Sequence, residues 1–262
     1  MAVTETNKWA LVLGGSSGLG LAVVKKLAAH DFNILVVHRD RRSDLPEIEK
    51  QFDSVRSTRM TLVAFNVDAT SIERQNELIP KIKAQLKDEK IAVLVHSIAK
   101  GNLKPMQSTT ESTLQHQDFS LTIGAMATSF YDWVKLLVDQ ELFNEDLRTI
   151  AFTSEGNTKA WSNYAAISAA KAALEAMMRN IALEFAPMGI KSNCIQAGVT
   201  ETKSFTMIPG SATLKAAALE RNPNKRLTTP EDVANVVYLM TTPEAKWITG
   251  TVLKVDGGES LR

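Results

Sequence analysis

Trp9-Ala10-Leu11-Val12-Leu13-Gly14-Gly15-Ser16-Ser17-Gly18-Leu19-Gly20 is the stretch that decides how this 262-residue chain folds. Five consecutive apolar residues running straight into glycine suit a strand buried on both faces. The residues that follow carry apolar side chains at helical spacing and predict a helix over 18–29. Between strand and helix, Gly14, Gly18 and Gly20 have the spacing that permits a tight turn, close approach of backbone N–H groups to a pyrophosphate, and close packing of helix on strand. Ser16, Ser17 and Leu19 belong to the same turn and are expected to border the phosphates. A glycine-rich turn without a ligand is the plainer alternative, and the flanking strand and helix argue against it.

Working outward, short apolar runs recur at 34–37, 61–65, 91–95, 149–152, 190–195 and 252–255. Helical periodicity lies between them at 71–86, 111–142, 164–186 and 230–240, the last opened by Thr228-Thr229-Pro230-Glu231. Strands alternating with covering helices predict an α/β fold of Rossmann type: a doubly wound, parallel, seven-stranded sheet with helices on both faces. No internal repeat or linker divides the chain, so residues 1–262 are expected to form one domain. The irregular stretch 199–229, with a short helix over 212–220, is expected to overhang the carboxyl ends of the strands, where ligands bind in such sheets.

Composition narrows the partners. Thirty Lys and Arg nearly balance 29 Asp and Glu, which argues against nucleic acid or an anionic membrane as the main partner. The single cysteine, Cys194, excludes an intrachain disulfide, and its apolar neighbourhood suggests a packed thiol in a reducing compartment. The apolar run before Gly14 is too short for a signal peptide or a membrane span, so a cytoplasmic location is expected. Nothing in the sequence calls for a metal.

At the end of the second strand, His38 falls where a carboxylate would bind the adenosine ribose of NAD, and Arg39 follows it. A guanidinium suits a 2′-phosphate, which a carboxylate would repel, so NADPH is expected, with NADH the alternative. The run Arg39-Asp40-Arg41-Arg42 equally suits a solvated charge patch at a helix entrance. After the third strand, Asn66 and Val67 are expected to meet the adenine, Asn66 through its amide and Val67 through its backbone; a turn-forming role for Asn66 is the alternative.

The glycine turn, the fourth-strand ending His96-Ser97-Ile98-Ala99, a helix carrying Tyr164 and Lys171, and Val255-Asp256-Gly257-Gly258 together resemble the short-chain dehydrogenase/reductase family over residues 8–258. The resemblance implies that Lys171 binds the nicotinamide ribose and lowers the pKa of Tyr164, which protonates or polarises the substrate oxygen. It also implies that Ser97, Ile98 and Ala99 line the nicotinamide side, that Gly198, Val199, Thr200 and Thr202 meet the cofactor, and that the protein is a homotetramer.

The usual family spacing puts tyrosine four residues before the lysine, where this chain has Ile167. Tyr164 lies seven before it. Seven steps of ~100° return the two side chains to within ~20°, while their axial separation grows from ~6 Å to ~10.5 Å. A phenol displaced in this way suits an acceptor whose oxygen is remote from the carbon receiving hydride, as in an α,β-unsaturated thioester. The spacing, with His-Ser-Ile-Ala, is similar to bacterial enoyl-acyl-carrier-protein reductases, implying an acyl thioester substrate on an acyl carrier protein. Ser154 pulls the other way: it stands seventeen residues before Lys171, where ketone-reducing members keep a substrate-orienting hydroxyl. A 3-ketoacyl or other carbonyl reductase using Ser154, Tyr164 and Lys171 is the alternative, and a non-catalytic NADP(H) sensor is a third. Phe205, Met207 and Ile208 are expected to floor an acyl slot. Lys100, Lys104, Lys203 and Arg226 are candidates for attracting an acidic carrier, and the 111–142 helix, with Phe130, Tyr131 and Trp133, for subunit contacts.

Overall fold

The computed structural model describes residues 8–262. Seven strands form one parallel sheet: β1 (Trp9–Leu13), β2 (Asn33–His38), β3 (Leu62–Asn66), β4 (Ile91–His96), β5 (Phe143–Thr153), β6 (Lys191–Ala197) and β7 (Val252–Val255). Their order is β3-β2-β1-β4-β5-β6-β7, so the winding reverses between β1 and β4 and opens a crevice there at the carboxyl ends. This is the fold class the alternating runs predict.

Helices cover both faces: α1 (Gly18–Ala28), α2 (Leu45–Asp53), α3 (Ile72–Leu86), α4 (His116–Ile123), α5 (Ser129–Asp139), α6 (Ala165–Glu184), α7 (Lys203–Thr206), α8 (Ser211–Arg221) and α9 (Pro230–Leu239). Strand pleating sorts the apolar runs into two cores. Leu11, Leu13, Leu94 and Cys194 point to one side, where they meet Ile82, Trp133, Leu137, Leu174 and Met178. Ala10, Val12, Val95, Ile150 and Ile195 point to the other, against Val23, Leu27, Val233 and Val237. Cys194 is a fully buried core thiol, which burial pushes up to about 12. Among the described residues, no helix is long and apolar enough to cross a membrane.

Two helical expectations change. The predicted helix over 111–142 is two helices, and it begins later. Gln115 and Asp118 form a capping box that starts α4. A π-helical turn, Gly124–Thr128, then separates α4 from α5, and the hydroxyls of Thr128 and Ser129 bond back to the carbonyls of Gly124 and Ala125. Phe130 and Trp133 are fully buried in the core, with Trp133 Nε1 donating to Ala69 O at 2.8 Å; Tyr131, 40% exposed, is the aromatic of that trio that faces outward. In the second case, α2 was not expected as a helix. Its only fully buried side chain is Phe52, too weak an apolar stripe to read in sequence.

Candidate active site

Main-chain geometry builds the first cleft. Gly14 has φ +81°, and a Cβ there would lie 2.4 Å from Ser97 O; a Cβ on Gly20 would lie 2.1 Å from Gly14 O. Only glycine permits these approaches. They bring the first turn of α1 onto β1 with its N–H groups facing the crevice, and the N-cap residue Ser17 makes no side-chain capping bond. The resulting uncapped helix N-terminus suits a pyrophosphate. Gly14, Ser16, Ser17, Gly18 and Leu19 line a cleft of about 520 Å³. Gly20 lies beneath it as the packing contact.

The cleft continues past His38, Arg39 and Val67 to Ser97, Ile98 and Ala99, and on to Lys171 and Thr202. His38 is buried, with Nδ1 2.8 Å from Asp40 Oδ2. Arg39 Nη1 donates to Asp68 Oδ2 at 2.8 Å, and Lys100 Nζ approaches the same oxygen at 3.3 Å. Burial alone would raise the Asp68 pKa; hydrogen bonds from Thr70 and the charges of Lys100 and Arg39 override it and hold the carboxyl at about 2. Arg39 and Lys100 therefore share the Asp68 carboxylate, with Asp40 lining the same end of the cleft beside His38. Asn66 is not brought into the cleft. Its Oδ1 accepts from Asp40 N and its Nδ2 donates to Asp40 O, so both ends of the amide pin the loop after β2. The sequence offered an adenine contact or a turn-forming role, whereas the amide's hydrogen bonds run to a loop twenty-six residues away and not to its own turn.

The second cleft, about 220 Å³, meets the first along Leu19, Ala99, Phe152, Lys171 and Met207. Its walls are largely apolar, with Leu103, Met126, Trp161, Ile167, Phe205 and Ile208, and its polar groups include Ser154, Tyr164, Glu155, Asp256 and Glu259. Gly198, Val199 and Thr200 line this pocket and not the nucleotide cleft, whereas Thr202 lines both. The π turn carries Met126 into the wall. Phe205, Met207 and Ile208 come from α7 and the turn after it, over the pocket, with Met207 61% exposed. Leu103, Met126, Trp161 and Ile167 were not read as site residues, because each is an ordinary apolar residue until the fold gathers it.

Asn163 adopts φ 64°, a left-handed conformation that asparagine tolerates. The chain thereby turns so that Tyr164 caps α6, with φ −113° and ψ 1°, and Tyr164 O accepts the helix bond from Ser168 N. Tyr164 thus stands one residue before the helix proper, yet its backbone is close enough to helical to bring phenol and ammonium to one pocket. Trp161 packs on it, ring centroids 5.1 Å apart. Burial raises the Tyr164 pKa above its usual 10, where the family resemblance led us to expect a lowered one. Ser154 is close enough for its dipole to offset part of that rise, but hydrogen-bond geometry is not met, and Ser154 Oγ is a buried hydroxyl without a partner. Lys171 is 7% exposed and its Nζ donates to Phe152 O at 2.7 Å; burial lowers its pKa to about 8. Burial thus keeps the phenol protonated and makes the lysine's charge more readily lost than usual, in one pocket.

The basic side chains expected to attract an acidic carrier are all engaged: Lys100 with Asp68, Lys104 with Asp118, Lys203 with Asp44 and Arg226 with Asp232.

A glycine-cradled nucleotide cleft opening onto a tyrosine-and-lysine pocket defines an NAD(P)-dependent oxidoreductase. The family model described as Enoyl-(Acyl carrier protein) reductase matches residues 14–260, and the chain belongs to that family, within the short-chain dehydrogenases/reductases. A tropinone reductase homolog of Arabidopsis thaliana is 29% identical over 95% of this chain and 78% of its own length. The 1-cyclohexenylcarbonyl-CoA reductase of Streptomyces collinus is 24% identical over 98% of this chain and 88% of its own. The crystal structure of FabI from Candidatus Liberibacter asiaticus superposes with a TM-score of 0.85 at 22% identity, covering 100% of this chain and 98% of that one.

Proposed function

We propose that this protein reduces the carbon–carbon double bond of an α,β-unsaturated acyl thioester, using NADPH. The observation that carries the reading is the join between the clefts: Lys171 borders both, while Tyr164, seven residues earlier, is set in the apolar pocket. The relative from Streptomyces collinus, named for an unsaturated acyl-CoA, supports it.

When bound, the reduced nicotinamide supplies hydride. The apolar walls hold the acyl chain and exclude water, which strengthens every charge interaction inside. Tyr164 donates its phenolic hydrogen bond to the thioester oxygen, where negative charge gathers as the β-carbon takes hydride, and a proton from solvent at the pocket mouth then completes the α-carbon. A phenol whose pKa is raised by burial stays protonated throughout the neutral range and remains a donor. Lys171 holds the ribose and adds positive charge to the same corner. Arg39 and Lys100 favour the extra phosphate of NADPH, although Arg39 must then exchange its bond to Asp68. With its lysines paired, the portal offers an acidic carrier no unengaged cluster among these four, so coenzyme A thioesters are as suitable as carrier-bound ones; we retain a cytoplasmic homotetramer as the working assembly.

A carbonyl reductase is the second reading, favoured by the unpartnered buried hydroxyl of Ser154 beside Tyr164, an arrangement ready to orient a ketone oxygen. Loss of reduced-nicotinamide absorbance with a crotonyl thioester and with a 3-ketoacyl thioester, each with NADPH and NADH, separates the two. Faster turnover of the enoyl substrate with NADPH is expected. Turnover of the keto substrate alone overturns the first reading in favour of the second, and oxidation of neither points to the sensor.

A further inference from the structure

The sheet-facing side of α6 is built almost entirely from small and apolar residues, among them Ala166, Ile167, Ala170, Leu174 and Met178. Lys171 and Glu175 are the buried exceptions, four residues apart and therefore neighbours on one helix face. Burying a carboxylate is unfavourable unless hydrogen bonds and an opposite charge compensate. Glu175 has the hydrogen bonds. Its Oε1 accepts from Thr153 Oγ1 at 2.6 Å and from Asn157 Nδ2. Thr153 directly follows Phe152, whose carbonyl holds Lys171 Nζ, so one strand end fastens both charged groups.

Glu155, Asp256 and Glu259 line the same pocket as Lys171, but Arg221 holds Glu155 and Glu259, Asp256 accepts from Gly258 N and Ser260 N, and none of the three acts on the lysine. From β4, His96 is pushed down to about 3 by burial and then by Lys171 itself, so it is neutral, with Nε2 2.8 Å from Ser129 Oγ. From β6, a Cys194 thiolate would favour the ammonium, but burial keeps the thiol protonated to about 12. On α6, Tyr164 is a neutral phenol, and Arg179 acts on Cys194 as a further cation. Among the described residues that act on Lys171, Glu175 supplies the negative charge that opposes its desolvation.

We propose that Glu175 is a positioning residue for the reduction: a negative charge anchored by Thr153 and Asn157 that keeps Lys171 an ammonium where the two clefts meet. The proposal rests on Lys171 working as a cation, and not on which bond is reduced.

Glu175→Gln is the informative variant, since its amide oxygen can still accept both hydrogen bonds while the charge is gone. Titration of Lys171 in the cofactor-free protein, by NMR of lysine labelled at 13Cε and assigned by the signal missing in Lys171→Arg, should show its midpoint fall by about one pH unit. Glu175→Asp should restore part of the shift. The alkaline limb of kcat/KM should move down with it, because activity is lost as pH rises through the lysine pKa. A folded Glu175→Gln protein with an unmoved lysine midpoint overturns the proposal, whatever happens to its melting temperature. If that variant fails to fold, Thr153→Ala, which frees one anchor, should shift the midpoint in the same direction by less; no shift overturns it equally. Since the titration uses neither substrate nor cofactor, failure of the enoyl assay leaves its result readable.

Discussion

The nucleotide cleft takes its shape from main chain, whereas the apolar pocket beside it is walled by side chains. In the first, three glycines within seven residues set the turn, and two of them bring backbone to within a distance no Cβ survives. In the second, Leu103, Met126, Trp161, Ile167 and Ile208 arrive from widely separated points of the chain. A surface made of backbone has almost no tolerance for substitution, and one made of side chains can be reshaped a residue at a time. Lys171 belongs to both, so it is where the rigid and the adaptable parts must agree.

Four substitutions probe that contrast. The largest effect is expected for Tyr164→Phe, which removes the hydrogen bond proposed to meet the developing negative charge: kcat should drop by about 10²–10³ with NADPH affinity nearly unchanged, as steady-state kinetics and a binding titration would show. Parallel loss of cofactor affinity would mean that the two clefts are not separable. Gly20→Ala forces a methyl against Gly14 O and should destabilise the fold by about 1–3 kcal/mol, with NADPH binding weakened alongside; a wild-type melting curve would show that the backbone cradle is softer than argued. Arg39→Ala should weaken NADPH roughly tenfold and leave NADH little changed, and an unaltered preference would place the 2′-phosphate elsewhere. Smallest is Trp161→Ala, which enlarges the pocket beside Tyr164. A several-fold shift in kcat/KM towards bulkier acyl groups is expected, measured with thioesters of graded size.

The same contrast explains what could be read in the sequence. Local signals named β1, the glycine turn and α1 together, because strand, turn and helix are consecutive and each constrains the next. The central strands β1, β2 and β4 showed as apolar runs for a related reason: burial on both faces leaves few polar residues to interrupt them. Phe205, Met207 and Ile208 were legible as pocket lining, but the other walls escaped notice because an isoleucine at 167 or a methionine at 126 is unremarkable until a π turn and a distant helix face bring them together. Asn66 was ambiguous because an amide's partner depends on a loop twenty-six residues away. Glu175 did carry a signal that went unread: an acidic residue four beyond a lysine in the otherwise uncharged first half of the helix, Ala-Ala-Ile-Ser-Ala-Ala-Lys-Ala-Ala-Leu-Glu. The rise in the Tyr164 pKa was hidden for a different reason, since spacing reports direction but not how dry the destination is.

The bond from Lys171 to Phe152 O has a consequence for how this scaffold can diversify. A peptide oxygen is present whatever amino acid occupies its position, so the ammonium's anchor is indifferent to the identity of residue 152. Residue 152 borders both cavities while its side chain packs in the core with Ile150 and Ile195, so a replacement that keeps that packing leaves the lysine tethered. The tether therefore depends on the course of the backbone at this strand end, and survives any change of side chain that the core beneath it can accommodate.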